Sequence, residues 1–85
     1  MKLELRFFAS LREALGTSRE SIEVPPAVKT ISDLRAMLAQ RGGAWAQALA
    51  EGKALRCAIH QHMVPESTPL QDGAEVAFFP PVTGG

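Results

Sequence analysis

Pro69-Leu70-Gln71-Asp72-Gly73-Ala74-Glu75-Val76-Ala77-Phe78-Phe79-Pro80-Pro81-Val82-Thr83-Gly84-Gly85 contains a turn, a strand and a tail in direct succession. Asp72-Gly73 is a turn signal. Glu75–Phe79 then reads as the last strand, and Pro80-Pro81 ends it because proline has no N–H for a ladder. Side chains alternate across a strand, so Val76 and Phe78 share one face while Glu75, Ala77 and Phe79 share the other. If Val76 and Phe78 point into the core, Phe79 points away from it.

Upstream, the hydrophobic period alternates between two and three to four. Leu3, Leu5 and Phe7 alternate with Lys2, Glu4 and Arg6, which predicts a first strand with one face buried. Beyond Phe8, Leu11, Ala14 and Leu15 fall at helical spacing, and Gly16 is placed to close a helix of two turns at most. Glu20–Val24 alternates again and stops at Pro25-Pro26, giving a second strand that forms a hairpin with the first. Thr30 and Asp33 form a variant capping box ahead of Ile31, Leu34, Met37 and Leu38, which predicts the main helix, stopped by Gly42-Gly43. Ala44–Ala50 predicts an extra helical segment with Trp45 and Leu49 on one face, broken at Gly52. Leu55, Cys57 and Ile59 mark a third strand, and Met63-Val64 a short fourth beyond a tight turn at Gln61-His62. One long helix across one face of a mixed sheet is an α+β two-layer domain, and such packing leaves the other sheet face open.

Composition narrows the classes of function. A chain of 85 residues forms one small domain. It buries only roughly 60–65% of its unfolded surface and has little room for an enclosed active site. Nine Lys and Arg balance nine Asp and Glu, which removes the basic footprint of a nucleic-acid or anionic-membrane binder. The apolar runs are far too short for a spanning helix, and Glu4 stands where a signal peptide needs an apolar core, so a cytoplasmic protein is expected. The one cysteine, Cys57, excludes an internal disulfide and shares a strand face with Leu55 and Ile59, as a small core hydrophobe would. His60 and His62 have no third ligand nearby, so a surface turn is expected and no metal site. Trp45 is expected to pack the extra helical segment against the body.

The functional candidates lie at the end of the chain. Gly84 and Gly85 carry no Cβ, which suits a narrow channel and backbone angles closed to other residues. A terminal carboxylate is ionised at neutral pH and a poor electrophile, so it must be activated before it can carry anything. Adenylation by a partner, followed by capture of sulfide or an amine, fits such an end. The six residues Pro80, Pro81, Val82, Thr83, Gly84 and Gly85 extend at most roughly 20–22 Å, enough to enter a neighbouring protein. The prolines stiffen the base of that tail and limit the entropy lost on insertion. Phe8 and Phe79 come out on the open-face parity, together with Met63 if Val64 is buried, and three large apolar groups there form a candidate partner surface. Arg12 is either a solvated helix residue or, near the base of the tail, a partner for an acid on another protein.

The element order is similar to the ubiquitin-like β-grasp fold, with residues 1–79 as the domain and 80–85 as a flexible tail. Pro69–Gly85 resembles the C-terminus of the small, sulfur-carrier subunit family of molybdopterin synthase (MoaD), and Phe7-Phe8-Ala9-Ser10-Leu11-Arg12-Glu13 resembles that family's first strand-to-helix passage. The resemblance covers the whole chain and is strongest at its two ends. It implies that Gly85 is adenylated by an E1-like activating enzyme that consumes ATP, and that sulfur from a donor converts the adenylate to a thiocarboxylate. The tail then delivers this sulfur, inside the large subunit of molybdopterin synthase, to cyclic pyranopterin monophosphate. The resemblance also implies a heterotetramer of two small and two large subunits, no bound cofactor, and no catalysis by this chain alone. The sulfur carrier of thiamine biosynthesis has the same fold and Gly-Gly end. That family is shorter and lacks the Phe-Phe-Pro-Pro-Val-Thr tail and the segment around Trp45. From other classes, a ubiquitin-like modifier conjugated to lysines and a plain interaction module remain as alternatives.

Overall fold

In the computed structural model, residues 1–81 are described; Val82, Thr83, Gly84 and Gly85 of the expected tail lie outside the described residues. The elements follow in the order β1 (Lys2–Phe7), α1 (Ala9–Leu15), β2 (Arg19–Glu23), α2 (Ile31–Ala39), α3 (Gly43–Ala48), β3 (Arg56–Ile59), β4 (His62–Val64) and β5 (Glu75–Phe79). The five strands make one mixed sheet in the order β2-β1-β5-β3-β4. β1 and β5 run parallel at its centre, with Leu5 opposite Val76 and Phe7 opposite Phe78. The other three pairs are antiparallel.

Alternation decides what the sheet buries. Leu3, Leu5, Phe7, Cys57, Val76 and Phe78 face Ile31, Leu34 and Leu38 of α2, and Leu11, Leu49 and Leu70 complete the core. Phe7 stacks on Phe78 with ring centroids 6.2 Å apart, and Trp45 meets Phe7 edge-on at 5.4 Å. The indole therefore ties α3 to the sheet, as its apolar area predicts. The Arg41 guanidinium lies over the indole ring at 4.4 Å.

The start of α2 is held from two sides. Thr30 Oγ1 accepts from the Asp33 N–H, and the Asp33 carboxylate accepts from the N–H groups of Thr30 and Lys29. The segment before β5 clasps the same turn, since Ile31 N–H donates to Thr68 O, Ser32 N–H to Glu66 O and Leu70 N–H to Lys29 O. Asp72 and Gly73 turn the chain into β5 as the sequence predicts. Gly73 takes a φ of 84° there, and the Asp72 carboxylate accepts from the Lys2 N–H at 2.7 Å.

Five expectations are corrected in detail. The tight turn falls on His60-Gln61, both at positive φ, because Ile59 pairs with His62 and Cys57 with Val64. This is a two-residue loop in the sense that matches strand twist. His62 is thus the first residue of β4. The second strand is Arg19–Glu23; Val24 lies just beyond it, buried and bonded through its N–H to Met1 O. The main helix ends at Ala39, short of the glycines, and the extra helix is Gly43–Ala48, so Leu49 enters the core as its cap residue. In α1, Leu11 is buried and Leu15 half-buried, but Ala14 is exposed, because so short a helix turns only a narrow stripe inward.

Candidate functional site

The face of the sheet turned away from α2 is the exposed one, and its side chains form cross-strand rows. Register places Arg19, Arg6, Ala77, Ala58 and Met63 in one row from β2 to β4. The next row, toward the C-terminal end of β5, brings Phe79 opposite Arg56. Phe8, the first residue after β1, meets Phe79 edge to face with centroids 6.0 Å apart. Phe8 is 40% exposed and Met63 52%, and these are the two exposed large hydrophobic residues found among the described ones. Phe79 is half-buried, whereas Phe78 and Phe7 on the core side are 1% exposed. The parity expected from the sequence therefore holds on all three strands that carry the patch. Ala58 and Ala77 are buried between the taller members of their row, which leaves a low apolar floor beside the phenylalanines.

Backbone geometry fixes this patch at the root of the tail. The Phe8 N–H donates to Phe78 O at 3.2 Å, which holds the end of β1 against the end of β5. Pro80 and Pro81 follow directly and are half-buried. Arg12 lies one helical turn beyond Phe8 and is exposed, and its N–H reaches back to Phe8 O. Of the expected site residues, Phe8, Met63, Phe79, Pro80 and Pro81 thus lie on or at the end of one face, and Arg12 is exposed on the adjoining α1. Val82, Thr83, Gly84 and Gly85 lie outside the described residues.

The remaining polar groups have structural partners. Cys57 is buried, its thiol donates to Val64 O at 3.2 Å, and burial pushes its pKa up, so it stays a protonated core side chain. His60 sits in the turn and His62 on the opposite face of β4 from Met63; both are exposed. Among the described residues, no group of three or more His, Cys, Asp or Glu could hold a metal ion, and no helix is long and apolar enough to cross a membrane.

One buried cation carries no sequence signal. Arg35 on α2 is 8% exposed; its Nε donates to Leu49 O, one terminal nitrogen to Ala50 O and Lys53 O, and the other to Glu66 at 2.6 Å. The guanidinium thereby satisfies carbonyls left open where α3 ends, which an arginine fork can do and a lysine cannot. It lines a cleft of about 670 Å³ with Asp33, Lys53 and Glu66, but these four bonds are all made within the protein.

A helix laid across a mixed five-stranded sheet with parallel central strands defines a ubiquitin-like β-grasp domain, here with an apolar patch where its C-terminal segment departs. The chain belongs to the ThiS family, whose family model matches residues 5–85. It is 46% identical over 83 residues to the molybdopterin synthase sulfur carrier subunit of Escherichia coli, covering 98% of this chain and 99% of that one. It is 32% identical, over the full length of both chains, to small archaeal modifier protein 3 of Haloferax volcanii. Among solved structures it resembles subunit 1 in a complex of subunits 1 and 2 of the molybdopterin-converting factor from Helicobacter pylori. That match has a TM-score of 0.66 and 28% identity, and covers 100% of both chains.

Proposed function

We propose that this chain is the sulfur carrier of a molybdopterin synthase. The observation that carries the reading is the placement of Phe8, Phe79 and Met63 on an open sheet face, contiguous with a tail that ends in Gly84-Gly85. The body docks through that face, and the tail reaches into a neighbouring large subunit. The Gly85 carboxylate attacks the α-phosphate of ATP on an activating enzyme, giving an acyl-adenylate and pyrophosphate. Sulfide-level sulfur from a donor then attacks the acyl carbon and displaces AMP, leaving a thiocarboxylate; its sulfur adds to cyclic pyranopterin monophosphate, and water cleaves the acyl–sulfur bond to restore the Gly85 carboxylate. The acid–base groups for these steps sit on the partners, and the chain itself needs no bound cofactor. Full-length similarity to molybdopterin synthase sulfur carrier subunits at 46% and 43% identity supports the substrate class.

The test is intact-protein mass spectrometry after incubation with activating enzyme, ATP and a sulfur donor. Exchange of one oxygen for one sulfur is the expected outcome. Deletion of Gly85, or one residue added after it, should abolish that exchange and leave thermal unfolding unchanged. Molybdopterin formation by such a variant would overturn the reading. The 32% identity to an archaeal modifier protein favours a second reading, conjugation to lysines. Isopeptide adducts that survive denaturation and reduction, and that are lost with Gly85, would mark it.

A further inference from the structure

The chain is neutral as a whole, yet the open sheet face is electrically divided along its strands. At the end remote from the tail, Glu4 and Glu23 share the face with Lys2 and the amino terminus, so charges of both signs stand together there. Glu23 lies 3.4 Å from the amino terminus, and Glu4 accepts from the Ser21 hydroxyl. At the tail end, the same face presents Arg6, Arg19 and Arg56 around the apolar patch, with Arg12 at its edge on α1. Glu75 approaches one of these arginines, Arg6, at 3.7 Å. Arg12, Arg19 and Arg56 form no ion pair with any described residue.

Arg6 is held in an unfavourable setting. It stands directly opposite Arg19 on the β1–β2 ladder, where like charges oppose pairing. Its guanidinium lies over the Phe8 ring at 5.3 Å, and its Nε is buried without an acceptor among the described residues. A donor buried without a partner costs stability, and so does the facing pair of cations. An anionic group brought to this edge would offset the facing cations.

We infer that the open face is matched to a protein surface whose apolar docking site is edged by carboxylates, and that Arg6, Arg19 and Arg56 are the cations that recognise that edge. This rests on the reading above that the face docks a partner, and it specifies the partner's chemistry. Charge complementarity of this kind raises the rate of encounter more than it slows release. A single-stranded nucleic acid is the lesser fit, because Arg6 lies over the Phe8 ring and Phe8 and Phe79 form a T-shaped pair, not a run of parallel rings for successive bases.

The experiment measures association and dissociation rates of the full chain with the molybdopterin synthase large subunit of the same organism, between about 20 and 500 mM salt. Wild type should associate roughly tenfold or more slowly at the highest salt than at the lowest. Arg19→Glu/Arg56→Glu should associate about tenfold more slowly than wild type at low salt, converge with it at high salt, and dissociate at a similar rate. Arg19→Gln/Arg56→Gln should fall between the two, and it serves as the measurement should the reversed variant fail to fold. If both variants associate as wild type does while Phe79→Ala weakens the complex, the carboxylate edge is wrong and the docking reading stands. If wild type does not bind the large subunit at any salt, both are overturned. Tighter binding to a single-stranded RNA than to the large subunit would likewise overturn the inference.

Discussion

Phe78 and Phe79 are neighbours in sequence and point to opposite sides of β5, one into the core and one onto the open face. Phe78→Ala should cost about 3–5 kcal/mol, as a buried aromatic truncation does. Total stability for a chain of this size is roughly 4–13 kcal/mol, so this variant lies near the limit of folding. Phe79→Ala should cost about 1–2 kcal/mol in the free domain, but weaken the complex with the large subunit by about 2 kcal/mol or more. Urea unfolding and binding titration of the same two variants check this, and a reversed order would mean that the faces are misassigned. This division was legible from alternation alone, because a strand buried on one side writes its parity into the sequence. Cys57 was legible in the same way, on one face with Leu55 and Ile59. A folded Cys57→Ala variant should be loaded with sulfur as wild type is, and the native thiol should resist a thiol reagent until the protein is unfolded. Arg35 was not legible: its acceptors are three backbone carbonyls and a carboxylate brought together only by the tertiary fold.

At the scale of elements, Arg35 joins α2 to the segment between α3 and β3. Arg35→Ala should destabilise the domain by about 2–4 kcal/mol, since it leaves carbonyls at the end of α3 without their donor and Glu66 without its partner. Arg35→Lys should recover less than half, having no fork to span the acceptors. Chemical denaturation of both variants distinguishes this role from simple packing. Element boundaries were less legible than element types, for physical reasons. The β3–β4 loop settled on His60-Gln61 because register is set by which residues face the core, here Cys57 and Val64. Neither loop residue is a glycine or asparagine, so the turn carried no compositional mark. The end of α2 was misplaced for a related reason: Gly42 and Gly43 lie beyond the helix, and Gly43 already starts the next one.

For the whole molecule, two carboxylates link stability to acidity. Asp33 lies below the ordinary carboxylate range because the N–H groups of Lys29 and Thr30 donate to it, and Glu20 because Arg41 grips it in a two-pronged pair. A carboxylate with a lowered folded pKa binds fewer protons when folded than when unfolded. Its stabilisation is therefore complete above the ordinary values of 3.8 and 4.5 and is lost as pH falls through the lowered ones. Melting temperature attributable to these groups should be level from pH 7 to about 5 and decline below about 4. Asp33→Asn and Glu20→Gln should each flatten that decline, as followed by circular dichroism.

The same whole-molecule view gives the parallel pairing of β1 and β5 a mechanical meaning. β1 begins one residue from Met1, and β5 runs into Pro80-Pro81 at the opposite end of the sheet. Tension applied between the amino terminus and the tail therefore runs along both strands in opposite senses and loads their hydrogen bonds together in shear. They cannot peel apart one at a time, as the outer β3–β4 hairpin can. The tail can be drawn through a tight passage while the body behaves as a stiff handle, and force along the tail meets the part of the sheet most resistant to it.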